Sequence, residues 1–556
     1  MANETNELVF AALGGLSEIG MNAALYGFGP PQKRKWLMVD LGVSFAGPDL
    51  PGVDLIMPDI SFIEKVKKDL VGLIITHAHE DHIGAVIDLW PRLKCPIYAT
   101  RFAAGMIESK RGMEDRAAKI PVKIAQYGQP IELGPFSVED INVAHSIPES
   151  SALAIRTPAG LVVHTGDWKI DAFPVTGPPT DEARLRALGD EGVLALVCDS
   201  TNILRDGISP SESDVARTLR TLIADAPARV AVTAFASNVA RIRAVAEAAR
   251  DCGRQVVIAG RAMARVIEVA GECGYLEGLP GFLSADVFDR LPRDKVVALV
   301  TGSQGEPRAA VARIAEDEHP DITLAPGDRV IFSSRAIPGN EKAVGAIING
   351  LVKQGIEVVT DRTQLVHVSG HPRRAEMAMM YDWVRPQIAI PAHGEALHLT
   401  EHAAFAKARG VPHVVKAYDG DLVRIAPGPP GIENQIAFGR LYKDGNIVVP
   451  SNDESLGQRR KLAFAGVVSI AMAVNGKGEL AGDPDVTFTG LPAKTRDGKP
   501  MDELVDAAVF STFESLPRGK RRDADAVSTA IEKSVRNSVN SAWGKRPVVH
   551  VMVVEV

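Results

Sequence analysis

The segment that most constrains this chain is THAHEDH at 76–82, which follows directly on the apolar run VGLII at 71–75. His77, His79, Asp81 and His82 all fall within it, and each can ligate a metal. The apolar run reads as a buried strand, and a loop leaving a strand can gather such groups around one point. His77 and His79, two residues apart, can present imidazoles to one ion, while Asp81 and His82 turn toward a second position close by. Imidazole combined with carboxylate suits zinc.

Other β-rich runs of the first 200 residues end in the same way. KWLMVDLG at 35–42, LVVHTGD at 161–167 and VLALVCD at 193–199 run into polar clusters containing Asp or His. Layered α/β proteins deliver side chains to a rim in this manner. Further ligands come from His145 in INVAHSIPES, Asp167 in HTGD and His393 in AIPAHGE. Five histidines and two aspartates suffice for two ions, with Asp167 between them and a position left open for water. An open position indicates catalysis rather than a structural site.

His393 follows Asp167 by 226 residues, far more than one connection needs, so a whole domain is inserted between ligands that meet in space. From about 209 the texture changes accordingly: SPSESDVARTLRTLIADA reads as a capped amphipathic helix, and helix and strand then alternate to about 354. IEVVTD, LVHVSGH and QIAIPAHGE return to strands ending in polar residues, and APGPPG at 426–431 reads as a linker. The stretch from 460 holds the strand VVSIAMAVN, a helix near 502–516 and the strand PVVHVMVVEV. The expected domains are 1–208 with 355–428, an insertion at 209–354, a linker at 429–459 and a small α/β domain at 460–556.

With 62 basic and 69 acidic residues the chain carries a net charge of −7, which argues against a general nucleic-acid coat and leaves room for a local basic groove. No apolar run reaches the roughly 18 to 20 residues of a membrane span, and the N-terminal stretch has no basic-then-apolar leader, so a soluble cytoplasmic protein is expected. The four cysteines are dispersed without a CxxC pair, as in a reducing compartment. No G-x-x-x-x-G-K-[ST] sequence occurs, which argues against an ATP-driven enzyme.

The ligand pattern resembles the metallo-β-lactamase fold, an αββα sandwich, and the insertion resembles that of the β-CASP nucleases. The resemblance is closest to the bacterial ribonuclease J family: GGLSEIGMN, THAHEDHIGA, HTGDWKID, DSTN, FASNVARI, TGSQGEP, HVSGH, PAHGE and GRLYKDG occur in that family's order. It implies that His77, His79 and His145 hold one metal, that Asp81, His82 and His393 hold another, and that Asp167 binds both. Zn²⁺ is the implied ion, with Mn²⁺ as an alternative. It further implies His371 as proton donor to the leaving oxygen, Asp199 as its orienting partner, and Asp81 within the catalytic machinery.

The implied activity is 5′-to-3′ exonuclease action favouring a 5′-monophosphate, together with endonuclease action, on single-stranded RNA in processing and decay. The implied phosphate pocket comprises Ser237, Asn238, His367, Ser369, Gly370 and His371. Arg335, Arg373 and Arg374 are candidates for a basic RNA groove, as are Lys110 and Arg111, while Arg459, Arg460, Lys461 and Lys520, Arg521, Arg522 lie near the tail, farther from the chemistry. The resemblance also implies a homodimer or homotetramer formed through the C-terminal domain, and leaves partners in an RNA-decay complex open. The alternatives are a hydrolase of small acyl substrates on the same fold, a DNA-directed β-CASP nuclease, and a non-catalytic RNA-binding scaffold.

Overall fold

The computed structural model describes residues 5–114 and 117–556; residues 1–4, the start of the stretch read for a leader, lie outside it. The chain forms two compact units, Met1–Ser44 with Met57–Arg440, and Phe45–Ile56 with Leu441–Val556.

The first unit is built on two facing sheets. One has eight strands in the order Gly431–Gln435, Asp421–Ala426, Glu7–Gly14, Ala23–Gly29, Lys35–Val39, Leu70–Ile74, Ile97–Ala99, Val122–Ile124. The other has seven, in the order His413–Val414, Ile388–Ala392, Val193–Asp199, Gly160–His164, Ser150–Thr157, Phe136–Val143, Ile131–Leu133. Leu8, Phe10, Tyr26 and Leu37 of the first sheet share one core with Leu153, Ile155, Val162 and Val197 of the second. Residues of opposite parity in the second sheet, Ala152, Ala154, Val163 and Leu196, pack with Leu185, Leu188, Met377 and Trp383 of helices Glu182–Glu191 and Arg374–Val384. In the first sheet Val9, Leu25, Met38 and Leu73 are likewise fully buried, so its central strands are covered on both faces. Helices Val86–Leu93 and Arg101–Arg111 add the buried Leu89 and Phe102, and the result is an αββα sandwich.

Strand direction places the site. Lys35–Val39 runs parallel to Leu70–Ile74, and Gly160–His164, Val193–Asp199 and Ile388–Ala392 are mutually parallel neighbours. Their C-terminal ends therefore emerge together, which brings Asp40, His77, Asp167, Asp199 and His393 to one rim.

The insertion carries a six-stranded parallel sheet in the order Leu283–Ser284, Gln255–Ala259, Val296–Val300, Val230–Thr233, Arg329–Phe332, Glu357–Val359. Val257, Val300, Val330, Phe288, Ile314 and Leu351 form its core. Glu357–Val359, expected in the first domain, pairs in parallel with Arg329–Phe332 and so closes the inserted sheet. A three-residue strand with a polar end reads the same whichever sheet takes it. LVHVSGH, expected as a strand, has no ladder. Its carbonyls are used by side chains instead: Val366 O accepts from Arg241 and Ser333, and Gly370 O pairs with His145.

APGPPG is a turn rather than an interdomain linker. It joins Asp421–Ala426 to Gly431–Gln435 in an antiparallel hairpin, with Gly428 at φ +80. The rest of the expected linker is also structured, holding strands Arg440–Asp444 and Ile447–Pro450 and the first half of helix Glu454–Ala465. In the second unit, Val467–Val474 pairs antiparallel with Asp485–Thr489 and parallel with Val548–Glu555. Helices Met501–Ser515 and Ala524–Trp543 cover one face through Val505, Val509, Ile531 and Val535. Among the described residues no helix is long and apolar enough to cross a membrane.

Candidate metal centre

THAHEDH leaves the strand Leu70–Ile74 and turns into the short helix Glu80–Ile83. Gly42 allows the turn to pack closely, because a Cβ there would lie 1.7 Å from Asp81 O. His145 follows the strand Phe136–Val143, Asp167 follows Gly160–His164, Asp199 ends Val193–Asp199, and His393 follows Ile388–Ala392 with φ +49.

These ends converge. One group consists of His77, His79, His145 and Asp167, and another of Asp81, His82, Asp167 and His393; within each, the ligand atoms all lie within 4.8 Å of one another. His79 Nδ1 stands 3.1 Å from His77 Nε2 and 3.1 Å from His145 Nε2. Asp167 Oδ2 lies 3.8 Å from both His77 Nε2 and His145 Nε2, and 3.2 Å from His82 Nε2. Ligands around a tetrahedral zinc with bonds near 2.0–2.1 Å stand about 3.3 Å apart. The donor set and its spacing therefore fit divalent ions, with Asp167 common to both groups. His393 Nε2 is buried, makes no hydrogen bond and lies 3.4 Å from Asp81 Oδ2, as expected of a donor held for an ion.

Electrostatics separates the imidazoles. Burial, then the neighbouring histidines, holds His77 well below the usual range; burial likewise lowers His145, and lowers His79 to about 4. These are neutral donors ready for a metal. At His82 and His393 burial opposes the charge, but Asp167 and Asp81 outweigh it and raise both well above the usual range. Asp167 is held low because His393 and His82 overcome the effect of its burial. An ion at this second group would replace those protons.

A third group joins Asp167, Asp199, His371 and His393. His371 Nδ1 is 2.7 Å from Asp199 Oδ2, whose other oxygen accepts from Thr201 N. Burial lowers His371, yet Asp199 and Asp167 more than reverse this and raise it. Asp199 is correspondingly low: burial would raise it, and the His371 charge prevails.

The sequence reading missed Asp40, although it ends one of the quoted runs. Asp40 Oδ2 lies 2.7 Å from His82 Nδ1 and accepts from Thr76 Oγ1 at 2.8 Å, and Thr76 Oγ1 lies 3.0 Å from His77 Nδ1. One carboxylate thus orients two ligands and fixes their tautomers. Gly370 plays a similar part, because its carbonyl is 2.7 Å from His145 Nδ1 and a Cβ there would meet the imidazole at 2.6 Å.

The expected phosphate-pocket residues are brought together in part. Phe235, beside Ser237, places its ring 6.4 Å from that of His367, and Arg241 links the same cap helix to Val366 O at 2.8 Å. Asn238 caps helix Val239–Asp251 by accepting from Arg241 N. Ser369 Oγ accepts from Asn202 Nδ2 at 2.8 Å and from His371 N at 3.3 Å, which leaves its proton free to donate. His367 Nδ1 is buried without a partner, and burial, then Arg241 and Arg335, keeps the ring neutral. Of the groove candidates, Arg374 is engaged by Ile203 O and Glu401, Arg335 by Asp361, and Arg373 by Ile208 O. Lys110 pairs with Glu80 and Arg111 with Glu108.

A two-sheet sandwich with a His/Asp centre at its strand ends, interrupted by a parallel-sheet insertion, defines a metallo-hydrolase of the metallo-β-lactamase superfamily, whose family model matches residues 22–232. The models for the Ribonuclease J beta-CASP domain, the Zn-dependent metallo-hydrolase RNA specificity domain and the Ribonuclease J C-terminal domain match 227–351, 355–416 and 454–556. The chain is 52% identical over 553 residues to Ribonuclease J of Sinorhizobium meliloti, covering 100% of this chain and 98% of that protein. It is 39% identical over 550 residues to Ribonuclease J of Mycolicibacterium smegmatis, covering 98% and 97%. A protein of unknown function from Enterococcus faecalis shares the fold at a TM-score of 0.52 and 16% identity, over 75% of this chain and 100% of that one. The chain belongs to the ribonuclease J family and binds divalent metal. These matches favour neither a hydrolase of small acyl substrates nor a DNA-directed enzyme.

Proposed function

We propose that this protein is a metal-dependent ribonuclease acting on single-stranded RNA, both from the 5′ end and internally, in RNA processing and decay. The observation that carries the reading is the convergence of seven ligand side chains beside the His371–Asp199 pair. In this reading His77, His79 and His145 hold one ion, Asp81, His82 and His393 hold another, and Asp167 touches both. Zn²⁺ suits the donors best, and Mn²⁺ is accepted by the same set. Bound ions supply Lewis acidity and a water acidic enough to attack at neutral pH.

The chain's own residues do the rest. Asp199 engages Nδ1 of His371 and holds the ring protonated, so that Nε2 donates to the leaving oxygen. Ser369 Oγ, the side-chain amide of Asn238 and His367 offer donors for a 5′-monophosphate, with Ser237 and Gly370 completing the pocket. Holding that end at a fixed distance from the centre sets one-nucleotide steps. The protein works in the cytoplasm as a homodimer or homotetramer assembled through its C-terminal unit.

The test is product analysis of 5′-labelled single-stranded RNA bearing a monophosphate or a triphosphate, with Zn²⁺ or Mn²⁺, for the wild type and His77→Ala. The expected outcome is labelled mononucleotide, released faster from the monophosphate and lost in His77→Ala. Internal cuts without that preference would discard the pocket, and intact RNA under both metals would discard the nuclease.

A further inference from the structure

Beside the HVSGH loop lies a basic surface with too little acid to balance it. The turn from Asn202 to Arg205 is closed by Arg205 N donating to Asn202 O at 2.9 Å. Asn202 Nδ2 donates to Ser369 Oγ at 2.8 Å and to His371 O at 3.0 Å, which fixes the turn to the loop of the proposed proton donor. On its other side, Arg205 O accepts from Arg374 N at 3.0 Å at the start of helix Arg374–Val384. The backbone of Arg205 is thus held between the reacting centre and a helix N-terminus. Its side chain is exposed and, among the described residues, forms no hydrogen bond or ion pair.

The surrounding charges are unbalanced. Burial, then Arg335 and Arg373, lowers the pKa of Arg205 with Asp361 partly opposing them, so both of those guanidinium groups lie within electrostatic reach of Arg205. Asp206, the next residue in the chain, is exposed, and the other nearby carboxylates are already engaged. Asp361 pairs with Arg335 at 2.8 Å, Glu401 with Arg374 at 3.2 Å, and the buried Glu376 accepts from the backbone of Ile170, Ser209 and Arg373. Among the described residues the Arg373 side chain donates to Ile208 O alone, at 3.3 Å. Like charges kept together in the open repel one another unless an anion joins them.

We infer that Arg205, flanked by Arg335 and Arg373, contacts backbone phosphates of the RNA strand as it passes the metal centre. The assignment rests on the ribonuclease reading. Exposure decides between a diester backbone and a terminal phosphate: the Arg335 side chain is 41% exposed, whereas the terminal-phosphate pocket centres on the half-buried His367, whose Nδ1 is enclosed. Exposed arginines suit a strand that slides, because guanidinium groups bind each phosphate without reading a base.

The experiment measures binding of a 20-nucleotide single-stranded RNA to the metal-loaded protein between 50 and 200 mM salt, in a His371→Ala background that slows cleavage. It compares Arg205→Gln, Arg205→Lys and, as a control far from this surface, Arg290→Gln. One lost phosphate contact should reduce the slope of log affinity against log salt by about 0.7. Arg205→Gln should show this reduction and bind about tenfold more weakly at low salt, whatever the RNA sequence. Arg205→Lys should keep the slope, and Arg290→Gln should match the parent. With His371 restored, Arg205→Gln should raise KM far more than it lowers kcat. A parent that binds and cuts RNA while Arg205→Gln keeps its full salt slope would overturn the assignment alone. A parent that neither binds nor cuts RNA would overturn the ribonuclease reading with it.

Discussion

Asp40 shows how much one buried carboxylate can organise at the residue scale. It meets His82 directly and His77 through Thr76 Oγ1, so Asp40→Asn should misalign one ligand of each metal group. Loss of such a partner typically weakens metal binding by about 10- to 100-fold. A competition titration against a chelator should show that loss with the fold intact, and unchanged affinity would remove Asp40 from the metal support. Asp140 gives a prediction of a different kind. Both its oxygens are buried without a hydrogen-bond partner, and burial, with Glu139 nearby, pushes its pKa up to about 7. The folded state therefore binds more protons than the unfolded chain between about pH 4 and 7, and stability falls as pH rises through that window. At about 1.4 kcal/mol per unit, the loss attributable to Asp140 is about 4 kcal/mol. Asp140→Asn should flatten the decline in melting temperature over that range, and a profile as steep as the parent's would refute the assignment.

At the scale of elements, the join between sandwich and insertion can be tested at Ser211. Its hydroxyl accepts from Ser213 N in the capping box of helix Glu212–Ala224 and donates to Asp171 Oδ1 at 2.6 Å. Asp171 belongs to HTGDWKID, so the cap also fastens the inserted helix to the segment carrying Asp167. Ser211→Ala removes a cap worth about 1 kcal/mol and a hydrogen bond to a charged group worth about 1.5 to 3 kcal/mol. A destabilisation of about 2 kcal/mol or more is expected in thermal unfolding of the metal-loaded protein, and one below about 0.5 kcal/mol would place the fastening elsewhere.

The same elements explain what could be read from the sequence. SPSESDVARTLRTLIADA was legible because a capping box and a helical apolar period are local signals. The seven candidate metal ligands were legible because each ends or follows a strand in a recognisable motif. LVHVSGH misread as a strand because its carbonyls are spent on Arg241, Ser333 and His145, which lie far away in sequence. Glu357–Val359 misread because nothing in three residues says which of two sheets they join. Asp40 escaped because a lone Asp after a strand is also an ordinary turn, and only the fold brings His77 and His82 to it.

At the scale of the whole molecule, the C-terminal unit leaves a surface that argues for assembly. In the strand Val548–Glu555 the inward positions meet Ile531 and Val535, while His550, Met552 and Val554 face outward, Met552 at 67% and Val554 at 53% exposure. Ser469 and Ala471 on the adjoining strand Val467–Val474 are also exposed, so this part of the outer face is small and largely apolar, with Asp485 and Thr487 of the third strand at its edge. An uncovered sheet face of this kind marks an interaction site and is an aggregation liability if left bare. A second copy covering it would bury the apolar side chains symmetrically, as twofold contacts do. Met552→Glu would place a carboxylate in that contact and should convert the assembly to monomer in light scattering, while RNA cleavage per subunit persists because the metal centre lies wholly in the other unit. A parent that is already a monomer would refute assembly through this face, and a parent oligomer unchanged by Met552→Glu would place the contact on another surface.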